Sequence, residues 1–222
     1  MRRARRTNAP EDAGFISSEQ LAYWFLRLNG CLTIINFILH PDRSGAQRTD
    51  ADLVGVRFPY RAELADTENP LIDHPAFRAS DRIDVVIAEV KGPRDYCRIN
   101  GPWTDPRRGN LGYLLQALGL FSKSASADVE NALYEKYRYR DDQYDLRLFA
   151  LGGARNEELP GEVVQMTWAE DVLPFVYGRF AQHARQKSQN DQWDETGRAL
   201  FRCVTSSNDE TDFIQRVLGR LV

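Results

Sequence analysis

Residues 85–92 read VVIAEVKG, and with Arg82, Ile83 and Asp84 ahead of them they form the run on which the fold turns. Val85, Val86, Ile87 and Ala88 follow one another without polar alternation, the pattern of a strand buried on both faces. The run ends in a carboxylate and a lysine two positions apart. Side chains alternate along a strand, so Glu89 and Lys91 point one way and Val90 the other. A lysine at the end of a buried strand costs desolvation free energy unless a partner meets it, and Glu89 alone could be that partner. With 32 acidic residues and 4 lysines among 222, fewer than one acid-x-Lys triplet is expected by chance, so the neighbours have to decide.

Two features do. Of the 29 basic residues only 4 are lysine, so a chain that otherwise uses arginine has put a compact, titratable ammonium at this point. The preceding strand begins TDADLV at residue 49, with Asp50 and Asp52 expected on one face. If that strand pairs with the lysine strand, an aspartate, a glutamate and a lysine converge at adjacent strand ends. This set suits a hard divalent cation: Mg²⁺ takes one or two carboxylates and keeps several waters. Asp52 and Glu89 would ligate it, with the Val90 carbonyl as a further oxygen and Asp50 as the alternative to Asp52. Lys91 would hold the attacking water and steady charge on phosphorus, which implies phosphodiester hydrolysis.

The flanking chain supplies the other elements. ISSEQLAYWFLRLNG predicts a helix over 18–28, with Ser17 as N-cap, a staple from Ile16 to Leu21 and Gly30 beyond the end. Short β-branched runs predict strands at 31–39 and 51–58. A polar loop over 59–81 leads to the lysine strand. Leu111, Leu114, Leu115 and Leu118 mark a helix stripe, 127–142 continues as helix, and YDLRLFALGG and EVVQMTW read as strands. Thr167 and Glu170 form an expected capping box, Pro174 kinks the run that follows, and two more helices are expected near 192–203 and 209–221.

A helix with an early glutamate, a strand pair carrying DADLV, a strand ending AEVKG and a following helix resemble the PD-(D/E)XK superfamily, the restriction-endonuclease-like nucleases. The resemblance covers about residues 17–151. It implies an α/β fold with an αβββαβ core, a mixed central sheet flanked by helices, dependence on Mg²⁺ or Mn²⁺, and cleavage of DNA. Glu19, Asp52, Glu89 and Lys91 match the superfamily's site positions, and Gln116 matches a polar position in the helix after the lysine strand. The expected organisation is a basic arm over 1–16, a nuclease core over 17–167 and a C-terminal helical extension over 168–222 packed on the core.

Composition sets the partners. A formal net charge of −3 excludes a global positive field, so DNA would be met by a local patch. Arg94, Arg98, Arg107 and Arg108 flank the lysine strand and could bind phosphates, or be solvated loop residues. Trp103 is read as the anchor of its own loop ahead of a base-stacking role. No window reaches the roughly 18 apolar residues of a membrane span, which predicts a soluble cytoplasmic chain without membrane contact. Three widely spaced cysteines fit neither a disulfide framework nor a zinc motif and read as reduced packing residues. Three functions remain: an endonuclease, a nuclease acting as effector subunit of a bacterial defence system with a partner such as an ATPase or as a homo-oligomer, and a non-catalytic nucleic-acid-binding or assembly module.

Overall fold

The apolar run becomes the central strand of a mixed six-stranded sheet flanked by helices. In the computed structural model, which describes residues 15–41, 47–63, 68–77, 81–182, 184–188 and 193–222, β1 is Leu32–Leu39, β2 Thr49–Arg57 and β3 Ile83–Val90. The remaining strands are β4 (Arg138–Arg140), β5 (Tyr144–Gly152) and β6 (Val164–Thr167). The order is β1-β2-β3-β5, with β1/β2 and β2/β3 antiparallel and β3/β5 parallel. The far edge of β5 is shared: β4 pairs antiparallel with its first half and β6 parallel with its second. From Asp84 to Val90 every residue of β3 is buried, as its uninterrupted apolar pattern predicts.

Each face of the sheet carries its own core. On one side α1 (Ser18–Leu28) packs with three C-terminal helices, α5 (Leu173–Ala181), α7 (Glu195–Ser206) and α8 (Glu210–Leu218). On the other lie a short helix α2 (Gly101–Thr104), then α3 (Asn110–Leu118) and α4 (Lys123–Lys136). A one-turn helix, α6 (Ala184–Lys187), follows α5. α1 has the predicted bounds because Ser17 accepts the Gln20 N–H at 3.4 Å and because two layers demand apolar surface from it. Leu21 and Phe25 are fully buried, and Trp24 lies against Phe180 at 5.5 Å.

The C-terminal helices form this layer jointly with α1. Phe180, Leu200, Phe213 and Val217 share one core with Leu21, Phe25 and the sheet residues Val86, Ala88 and Phe149. The start of α1 is stitched to Val222: Ser18 N–H donates to the Val222 carbonyl at 2.8 Å, and Val222 N–H to the Ile16 carbonyl at 3.0 Å. Ile16 is therefore a buried, paired residue rather than part of an arm, and residues 1–14 lie outside the described residues.

Two local expectations change. The helix expected to run on through 127–142 starts earlier, capped by Ser122, and stops at Tyr137, whose φ of 60° is left-handed. The chain then turns back as β4, where Arg138 meets Asp145 on β5 at 2.7 Å. Thr167 makes no capping box with Glu170. The turn over Trp168–Val172 is π-helical, and the wider turn brings Asp171 instead, whose carboxylate accepts from Thr167 N–H at 2.7 Å and from its hydroxyl at 3.0 Å.

Asp84, on β3, faces away from Lys91 and meets Arg147 of β5 in a buried bidentate pair, with Nε–H donating at 3.0 Å. Removing one partner would leave the other charge buried and alone. Asp84→Ala should therefore lower stability by about 3–5 kcal/mol in urea unfolding, and a loss below about 1 kcal/mol would show that the pair is not held dry.

Candidate active site

The β2–β3 ladder ends at Leu53 opposite Ala88. The next β3 amide facing β2 belongs to Val90, and a side chain takes it: Asp52 Oδ2 accepts the Val90 N–H at 2.6 Å. The strands splay here, and the carboxylate occupies the place of a ladder carbonyl. Asp52 is released by a matching break toward β1. Pairing between β1 and β2 holds one register from Leu39–Thr49 to Leu32–Val56 but omits Asn36 and Asp52, which lie across from each other. Asn36 has a left-handed φ of 53°, a conformation asparagine tolerates better than most residues.

The break changes the phase of both strands. Phe37 and Ala51 pack in the core under α3 and α4, whereas Ile35 and Leu53 pack in the core under α1. Residues two apart would share a face in an unbroken strand. The common face expected for Asp50 and Asp52 therefore does not exist. Asp52 stands at the break, turned to the end of β3.

Glu89 and Lys91 do share a face. Lys91 Nζ lies 3.1 Å from Glu89 Oε1, with the two side chains 9% and 5% exposed. The Asn100 carboxamide donates to the same oxygen. Oε2 of Glu89 is buried and accepts no hydrogen bond among the described residues. Burial pushes the Glu89 carboxyl up to about 7, the Asp52 charge adds to the rise, and Lys91 opposes it. Burial also raises Asp52, against the Val90 N–H and Lys91. Glu19, in the first turn of α1, is raised by burial and then by the charges of Asp52 and Asp50, with Lys91 opposing. The charges of Asp52 and Asp50 thus act on Glu19 and on Glu89, with Lys91 opposing them in both cases.

Other expected residues fall elsewhere. α3 buries Leu111, Leu114 and Leu115 against the sheet, so Gln116 lies on its exposed side, with no hydrogen bond to Glu89 or Lys91. Arg94 and Arg98 are exposed on the loop after β3. Arg107 is exposed too, but its guanidinium is held by Asp105 through two bonds of 2.9 Å, and Arg108 lies 3.9 Å from the same carboxylate. Trp103 is buried in the core beneath α3 and α4 and anchors its loop. The three cysteines are free and buried. His183 lies outside the described residues. Asn100 is the contact that sequence reading missed, since an asparagine ahead of Gly-Pro reads as a turn or cap residue.

A divalent cation fits this donor set. The oxygens are hard, Asp52 and Glu89 supply two carboxylates, and the orphaned Oε2 is a buried acceptor without a donor. Among the described residues no three His, Cys, Asp or Glu side chains gather into an ion cage; an ion held by Asp52 and Glu89 would need backbone oxygen and water besides. No helix among them is long and apolar enough to cross a membrane.

The raised Glu89 carboxyl has a consequence for stability. Its folded pKa of about 7 exceeds the ordinary 4.5, so the folded chain holds this proton more tightly than the unfolded one. The stabilisation is complete below the unfolded value and is lost as pH rises toward 7. Urea unfolding of metal-free protein should show a fall from pH 5 to pH 8 that is smaller in Glu89→Gln by about 2–3 kcal/mol; parallel profiles would place the carboxylate in water.

Comparison with protein-family models gives no match, and comparisons with curated proteins and with solved structures give none either.

Proposed function

We propose that the chain is a metal-dependent nuclease of the restriction-endonuclease-like fold that hydrolyses phosphodiester bonds, with DNA as substrate. One observation carries this reading: Asp52, Glu89 and Lys91 meet where β2 and β3 splay, and Glu89 keeps a buried oxygen without a donor. A purely structural Glu–Lys pair would be expected to satisfy both carboxylate oxygens, because an unpartnered buried acceptor costs about 1–3 kcal/mol.

Each group has a task. Asp52 and Glu89 hold Mg²⁺ or Mn²⁺, with the Val90 carbonyl, whose N–H already binds Asp52, as the backbone oxygen at the same strand end. Bound there, the ion lowers the pKa of water and draws charge from a phosphoryl oxygen. Lys91 orients the attacking water and steadies charge as it develops on the phosphate. Glu19 adds negative charge from α1 and strengthens the demand for a cation. Arg94 and Arg98, exposed beside the lysine strand, take backbone phosphates, while Asp105 already occupies Arg107 and part of Arg108. The net charge of −3 favours a nuclease that borrows DNA affinity from a partner such as an ATPase, as defence effectors resembling this fold do.

A second reading has its own support. The Glu89–Lys91 pair is almost closed to solvent, as a module that binds nucleic acid without cutting it would allow. Incubation of plasmid with Mg²⁺ or Mn²⁺ separates the two. The wild-type chain should nick or linearise the plasmid, and Lys91→Ala should do so at least about 100-fold more slowly. Equal cleavage by both proteins would remove Lys91 from the chemistry, and DNA binding without cleavage at any metal concentration would favour the module.

A further inference from the structure

We propose that Asn100 is a positioning residue of this site: its carboxamide, together with the Lys91 ammonium, holds Oε1 of Glu89 and thereby presents Oε2 to the cation. The inference rests on the nuclease reading and names the group that orients one of its ligands.

Asn100 occupies the N-cap position of α2, where an asparagine side chain ordinarily accepts a helix N–H. Here it makes no cap bond. The helix has little use for one, because Pro102 lacks an N–H and the Asn100 backbone carbonyl accepts from Trp103 at 2.9 Å. The carboxamide instead reaches Glu89, eleven residues back in the chain, and donates to Oε1. Two donors therefore converge on one carboxylate oxygen, and among the described residues none reaches the other. The carboxylate is fixed about its own axis by partners that leave a single oxygen for an ion.

The loop that delivers Asn100 is pinned at both ends. Past Lys91 it runs beside the end of β5, where Gly153 N–H donates to Asp95 O at 2.7 Å and Cys97 N–H to Ala154 O at 2.8 Å. A side chain on Gly153 would meet the Pro93 carbonyl at 2.0 Å, so the approach requires glycine. Farther on, Trp103 is buried in the core, and the Asn110 carboxamide donates to the Pro102 carbonyl at 2.9 Å. Arg48, next to the start of β2, donates from Nε to Asn110 Oδ1 at 3.3 Å and lies over the Tyr113 ring at 3.9 Å. The loop bearing Asn100 and the strand bearing Asp52 are thus tied to one another. Groups that orient a metal ligand in this way typically change metal affinity 10- to 100-fold when removed.

Asn100→Ser separates positioning from capping, because serine caps a helix as well as asparagine but cannot span the distance to Glu89. Calorimetric titration of the metal-free full chain with Mn²⁺ should show about tenfold or greater weakening in Asn100→Ser, with Tm unchanged. Asn100→Gln, which keeps the carboxamide on a longer stem, should recover part of the loss, and decides the matter should serine also lower Tm. Mn²⁺ affinity equal to wild type in Asn100→Ser overturns the positioning role and leaves the nuclease reading standing. A wild-type chain that takes up no Mn²⁺ overturns both.

Discussion

The hydrogen bond from Val90 N–H to the Asp52 carboxylate is the contact on which the site depends. It takes up the β3 amide just past the last β2–β3 pair, Leu53 with Ala88, where the backbone ladder ends. The opening lets Glu89 and Lys91, which alternate out of the sheet on one face, stand beside a carboxylate from another strand. An orphan backbone amide at a strand end needs an acceptor, and here that acceptor is a site residue. The arrangement is possible because β3 is fastened from both faces by separate cores, so the loss of a ladder bond at its tip is borne by packing farther down.

That tip is costly to build. Asp52, Glu89 and Glu19 are all raised by burial, the Asp52 charge raises both glutamates further, and one lysine offsets the three. Elsewhere buried carboxylates meet guanidinium groups: Asp84 meets Arg147, Asp73 is shared by Arg57 at 2.7 Å and Arg61 at 2.5 Å, and Asp145 meets Arg138 at 2.7 Å. The contrast is between carboxylates that each meet at least one guanidinium and a cluster of carboxylates that shares one ammonium. Sites that carry chemistry concentrate such perturbed groups.

Much of this was legible in the sequence wherever a local rule operated. The helix over 18–28 has a cap and an apolar surface, and it forms at Ser18–Leu28. The contact of Glu89 with Lys91 follows from alternation in β3, and the burial of Trp103 from its place in a Gly-Pro loop. What stayed hidden depends on tertiary context. The phase change at Asn36 and Asp52 involves two strands at once, so neither strand's pattern discloses it. Tyr137 in a left-handed conformation is set by the return of β4 onto β5, and Asp171 replaces Glu170 at the cap because a π turn shifts the register by one residue. The C-terminal helices read as an extension because their stripes show that they pack without showing that α1 lies among them.

Asp52 and Glu89 come from strands whose pairing ends just before them, and the proposed nuclease requires that one divalent ion be held by both. Anomalous diffraction from crystals soaked in Mn²⁺ tests this most directly. A single anomalous peak is expected in contact with an Asp52 oxygen and with Oε2 of Glu89, with Lys91 still on Oε1. An absence of any peak at the β2–β3 splay under saturating Mn²⁺, with Glu89 and Lys91 paired as before, would contradict it.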